Sequence, residues 1–167
     1  MKTKLTVVGD IKRSGSVVLD ATPLLEKKGF KTGSRLFDIP KRKDIHVVNP
    51  SMERYIKALT YISSLVLQYV APKDFHAYSI DELFIDVTAS LHLFTRTPEE
   101  LAHKIINKIY RKTRLTATEG VGPNFLLAKI SLDHEGKNSL TGMAYWRYEY
   151  IPFRILDLYF LYSNLNI

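Results

Sequence analysis

Cysteine is absent from the 167-residue chain, so neither a disulfide framework nor a thiolate zinc site can hold it together. Its five histidines, His46, His76, His92, His103 and His134, show no metal-ligand spacing either. Long apolar runs are also missing. The longest, Tyr61 to Ala71, is broken by Ser63, Ser64 and Gln68 and is too short to cross a bilayer. Met1-Lys2-Thr3-Lys4 leads into a strand-like stretch rather than a signal-peptide core. These absences agree with a reducing compartment, and the expectation is a soluble cytoplasmic protein. Acid is in short supply: 17 Asp and Glu face 24 Lys and Arg, a net charge of +7. That balance favours a polyanionic partner such as nucleic acid. Hydrophobic residues make up 46% of the chain, enough to pack one domain, or one domain with a small subdomain.

Along the chain, Leu5 to Val8 and Ser16 to Leu19 read as strands on either side of a basic turn. Thr22 then caps a short helix, Pro23 to Lys28, which Gly29 stops. Lys41-Arg42-Lys43 is most simply a solvated surface run. Ile45 to Val48 is a strand, and Asn49 and Pro50 signal a helix start. That helix runs to about Tyr69, with Met52, Tyr55, Ile56, Leu59, Ile62, Val66 and Val70 as its core stripe. Thr97-Pro98-Glu99-Glu100 predicts a capping box ahead of a helix reaching about Lys112, apolar at Leu101, Ile105 and Ile109 and basic on its polar side. Leu115 to Val121 reads as a strand, Gly122-Pro123-Asn124 as a turn capping a helix from Phe125 to about Leu132, and Leu140 to Tyr145 as a last strand. No internal repeat or low-complexity segment is present.

The informative stretch is Asp74 to Thr88, a β-branched and aromatic pattern interrupted by Asp81-Glu82. Adjacent carboxylates repel, and a sheet that half-buries them supplies a cation, either Lys or Arg or a divalent metal. On spacing alone, a solvated turn explains the pair at least as well.

Tyr78-Ser79-Ile80-Asp81-Glu82-Leu83-Phe84-Ile85-Asp86 resembles the palm signature of Y-family translesion DNA polymerases. Gly120-Val121-Gly122-Pro123-Asn124-Phe125-Leu126-Leu127-Ala128-Lys129 is similar to that family's Gly-Ile-Gly-x-Asn-x-Leu-Leu-Ala-Lys turn and helix. Gly15 to Gly33 resembles its fingers segment more weakly, and the three matches keep the family's order as far as about Tyr148. Within that family the chain resembles the UmuC-like and UvrX-like polymerases. The resemblance implies an α+β fold: a palm-type, ferredoxin-like antiparallel sheet with helices packed on one face, plus a small fingers-like subdomain. It divides the chain into a fingers-like segment with a leading palm-edge strand at 1–44, a palm core at 45–148, and a linker with an apolar tail at 149–167.

The same resemblance implies a role in DNA repair and SOS-type damage tolerance, with DNA as partner. It makes Asp81 and Glu82 the catalytic carboxylates holding two Mg²⁺ ions, and Lys137 the lysine approaching the nucleotide triphosphate. Asp86 is assigned to structure. Three departures bear on these roles. Pro23 and Glu26 stand where many members carry a triphosphate-binding Tyr and Arg, and an acid there repels phosphate unless Lys27, Lys28 and Lys31 compensate. Glu119 stands where the family has an apolar residue or Ser, so that either a third acid joins the site or the strand is locally damaged, the second being preferred. The family's Asp-x-Asp-x-Phe-Tyr strand does not occur in the sequence. The expectation is therefore an incomplete palm and fingers fragment without polymerase activity alone, whose exposed sheet edge is an association hazard or an opening for another polypeptide to add the missing strand. A non-catalytic module that binds DNA or a polymerase is the alternative, and a nucleotide cyclase-like palm is a third reading that the Gly120 to Lys129 match disfavours.

Overall fold

The β-branched run Leu5–Val8 forms β1, which pairs antiparallel with β2 (Asp20–Ala21) and parallel with β3 (Ile45–Val48). In this computed structural model, residues 5–13 and 15–147 are described. They fall into two compact units, one up to Arg54 and one from Tyr55 onward. The strand expected at 16–19 reduces to a single bridge, Val17 to Arg35, followed by the two-residue β2. Val18 nevertheless joins the core of this first unit with Val7, Ala21, Leu25 and Ile39. Helix α1 (Pro23–Glu26) is one turn long and supplies the fully buried Leu25, a contribution of roughly 1.5–3 kcal/mol.

Asn49 does not cap the next helix, because its side-chain oxygen accepts from the Ile11 N–H at 3.0 Å. Helix α2 accordingly begins at Met52 and runs to Val66 (Met52–Val66). Only the second half of its expected stripe is core. Met52 and Ile56 are more than half exposed, while Leu65, Val66, Tyr69 and Val70 are buried.

In the second unit β4 (Phe75–Ala77) and β5 (Leu83–Ile85) form an antiparallel hairpin. Helix α3 (Pro98–Thr113) follows, and the Thr97 hydroxyl caps it by accepting from the Glu100 N–H at 3.2 Å. Glu100 reaches back to the Arg96 N–H rather than to Thr97, so the expected box closes one residue early. Leu101, Ile105 and Ile109 of α3 pack with Leu65, Val66 and Tyr69, and Leu83, Ile85 and Val87 lie against this cluster.

Strand β6 (Glu119–Val121) is shorter than the predicted 115–121. It leads through the Asn124 cap, whose side chain accepts from the Leu127 N–H at 2.9 Å, into α4 (Phe125–His134) and on to β7 (Met143–Tyr145). The pairing of β6 with β7 is parallel. The helices and small sheets make the palm-type α+β class expected. Its pairings are not all antiparallel, because a helical connection such as α4 returns the chain to run alongside the strand it left. The predicted linker and tail at 149–167, and Tyr148, lie outside the described residues.

Gly120 and Gly122 permit this last arrangement. A Cβ on Gly120 would sit 2.2 Å from the Ala128 carbonyl oxygen, and one on Gly122 would sit 2.6 Å from the Ala128 nitrogen. Only a bare backbone lets α4 lie this close to β6.

Candidate functional site

The alternation of β5 sorts its side chains by face. Leu83 and Ile85 turn toward the α2 and α3 core, while Phe84 meets the ring of Phe125 on α4 at 5.3 Å. Glu82, two residues before Phe84, shares its face and makes an ion pair with Lys129 of α4. Asp133 lies 3.2 Å from Lys129 and 2.7 Å from Lys137, and Lys137 lies 4.0 Å from Glu82. Two carboxylates and two ammoniums thus alternate across a half-enclosed cleft. Glu82 retains 14% of its side-chain exposure and Lys129 25%. Burial works against the Lys129 ammonium, but the hydrogen bonds and charges of Glu82 and Asp133 outweigh it and raise its pKa.

Of the residues given a role by the resemblance, Glu82 and Lys137 lie in this network, which also contains Lys129 and Asp133, to which no role was assigned. The signal was present: Lys129, Asp133 and Lys137 recur every four residues, the spacing that stacks opposite charges along a helix. Asp81 stands apart from this network. Its carboxylate accepts from the Ser79 hydroxyl at 2.6 Å within the turn. Asp86 accepts from the Thr88 N–H at 2.9 Å, and hydrogen bonds to Thr88 hold its carboxyl below the usual range, in keeping with a structural turn residue.

Glu119 is part of an intact strand, its own N–H donating to the Gly142 carbonyl at 2.8 Å. It does not join the hairpin acids. Gly120 and Gly122 occupy the face of β6 toward α4, so Glu119 alternates to the other. Its Oε1 is sealed from solvent without a hydrogen-bond partner, and burial pushes the carboxyl up to about 8.

The Mg²⁺ pair implied for Asp81 and Glu82 can be tested against these donors. Among the described residues no three Asp, Glu, His or Cys side chains converge. The Glu82 carboxylate is already neutralised by Lys129. The residues described do not by themselves fit a two-metal centre, which requires several oxygen ligands around each ion.

The backbone around the hairpin carries a further feature. In the β4–β5 pair the Tyr78 N–H donates to Glu82 O and the Asp86 N–H to Asp74 O, so the even-numbered residues of β5 bond inward and Leu83 and Ile85 present their polar groups on the other edge. In β6, Glu119 donates to Gly142 and Val121 accepts from the Trp146 N–H, which turns the backbone groups of Gly120 outward. Neither edge has a strand partner among the described residues. Both strands are nevertheless covered by the same two helices, α3 on one face and α4 on the other.

Comparison with known proteins assigns this arrangement to a lineage. The model of the impB/mucB/samB family matches residues 1–133. The chain is 46% identical over 149 residues to the putative UV-damage repair protein UvrX of Bacillus subtilis, covering 89% of this chain and 34% of that protein. It is 38% identical over 138 residues to DNA polymerase IV 2 of the same organism, covering 82% of this chain and 33% of the relative. The solved structure of a Y-family DNA polymerase chimera of Dbh and Dpo4 superimposes with a TM-score of 0.80 at 26% identity, across 94% of this chain and 45% of that one. The chain therefore spans about a third of the length of these curated relatives. With the acidic hairpin, the Gly120 to Lys129 turn and helix, and the family match all on the same residues, the chain belongs to the impB/mucB/samB family of Y-family DNA polymerases.

Proposed function

We propose that this chain serves DNA damage tolerance in the cytoplasm as the palm and fingers portion of a Y-family polymerase site, and that it does not extend a primer by itself. The observation that carries this reading is the pair of open strand edges beside the acidic hairpin. Strands β5 and β6 share their covering helices yet remain in separate sheets. One extended segment between them, supplied by the same protein or by another polypeptide, pairs with both edges and brings further carboxylates beside Asp81 and Glu82. Magnesium belongs to this reading only once those carboxylates are in place. On the described residues alone, Lys129 and Lys137 hold Glu82 in a fixed position and give the cleft donors for phosphate oxygens.

The test is incorporation on a primed template with Mg²⁺, using the chain alone and then with a peptide carrying the Asp-x-Asp-x-Phe-Tyr segment. Extension only in the second case, abolished by Asp81→Ala, supports the reading. Extension by the chain alone refutes the dependence on an added strand. A folded chain that binds primed DNA but extends nothing in either case favours the non-catalytic DNA-binding alternative.

A further inference from the structure

The cations of the cleft are paired with carboxylates, whereas those of α3 are not. Residues 101–118 contain Lys104, Lys108, Arg111, Lys112 and Arg114 and no Asp or Glu, so this segment carries five of the chain's net +7 charges. None of the five makes an ion pair with a described residue. Lys104, Lys108 and Arg111 follow one another at four and three residues, which lines them along one flank of the helix. Leu101, Ile105 and Ile109 of α3 share one core cluster with Leu65, Val66 and Tyr69, and Leu83 and Ile85 pack against that cluster from the side of β5 opposite Glu82, so this flank lies away from the α4 cleft.

The flank is also partly preorganised. The Lys108 ammonium sits 4.6 Å from the Tyr69 ring centre and donates to the Gln68 side chain, and Lys104 stands 5.8 Å from the centre of Phe94. A side chain already held over a ring loses less freedom when it meets an anion. The helical rise places Lys104 and Arg111 about 10 Å apart along the axis. Phosphates on one strand of duplex DNA recur about every 3.4 Å of axis, so the row spans about three of them.

We propose that the outer flank of α3 binds the phosphate backbone of duplex nucleic acid, separately from the hairpin site. The choice of nucleic acid among polyanions rests on the function proposed above. Contacts of this kind fix position on the duplex and carry no base readout.

The experiment is fluorescence anisotropy of a labelled duplex with the whole 167-residue chain across a salt series. The triple variant Lys104→Gln, Lys108→Gln and Arg111→Gln is expected to reduce the slope of log K against log salt by about 2.7, and to weaken binding at low salt by roughly tenfold or more. A comparison variant, Lys12→Gln, Arg13→Gln and Arg54→Gln, removes the same charge from exposed positions of the first unit and is expected to change the slope by less than about 1. Should the triple variant lose its fold, Arg111→Gln alone lowers the slope by about 1. An unchanged slope, or equal losses in both triple variants, overturns the proposal while leaving the polymerase reading intact. Equal capture of poly-glutamate by the wild type, lost in the same variant, assigns the flank to acidic protein and also overturns it. A wild type that binds no duplex at low salt removes the DNA reading itself.

Discussion

Replacing Glu119 with Gln should stabilise the protein, and by an amount that grows with pH. The folded chain seals Oε1 of Glu119 without a partner, and burial holds its proton to about pH 8, against an ordinary value of 4.5. The unfolded chain loses that proton near 4.5. Between the two values the unfolded state binds fewer protons, so stability falls as pH rises and the loss is complete above the folded value. At about 1.4 kcal/mol per pH unit, the separation corresponds to a penalty of up to about 5 kcal/mol, a large part of the roughly 5–15 kcal/mol that holds a typical domain together. Gln keeps the shape and carries no titrating proton. Urea unfolding of both proteins from pH 4.5 to 9 should give nearly equal stabilities at the acid end. The variant should lead by several kcal/mol at pH 9. Parallel stability curves would refute the argument, because they would mean that water or a partner reaches the carboxylate in the folded state.

Lys129→Met should cost roughly 1–3 kcal/mol, since it removes the nearer of the two ammoniums beside the half-enclosed Glu82 and one of the two beside Asp133. Denaturant unfolding at two salt concentrations reads it, and a loss that vanishes in dilute salt would argue against a desolvated pair. Gly120→Ala should destabilise by about 3 kcal/mol or more, because the new methyl meets the α4 backbone rather than a movable side chain. A melting temperature within a degree or two of wild type would show that α4 is free to shift away from β6.

The elements fixed by local chemistry were legible in the sequence. Thr97 and Asn124 each carry a side-chain acceptor at the right spacing, and each caps the helix its sequence announces. Asn49 offers the same chemistry yet caps no helix, because its oxygen goes to Ile11, 38 residues earlier in the chain, a partner that no local pattern reveals. Met52 and Ile56 likewise obey helical periodicity yet stay exposed, since periodicity names a face without saying how far the covering layer extends. In the cleft, Glu82 and Lys137 came from resemblance, while Lys129 and Asp133 were visible as a charge ladder whose meaning depended on Glu82 arriving from 47 residues away. The outward edges of β5 and β6 had no sequence signature, because hydrogen-bond direction depends on register, which only the pairing defines.

That β5 and β6 are the two walls of one strand-wide slot is tested most directly by amide hydrogen exchange at Leu83, Ile85 and Gly120. In the chain alone these three amides should exchange faster than that of Phe84, which faces β4. Adding the Asp-x-Asp-x-Phe-Tyr peptide should slow all three together, with Phe84 little changed. Amides already protected without the peptide, or slowed in β5 while Gly120 stays fast, would contradict a shared slot and leave the two sheets as independent halves.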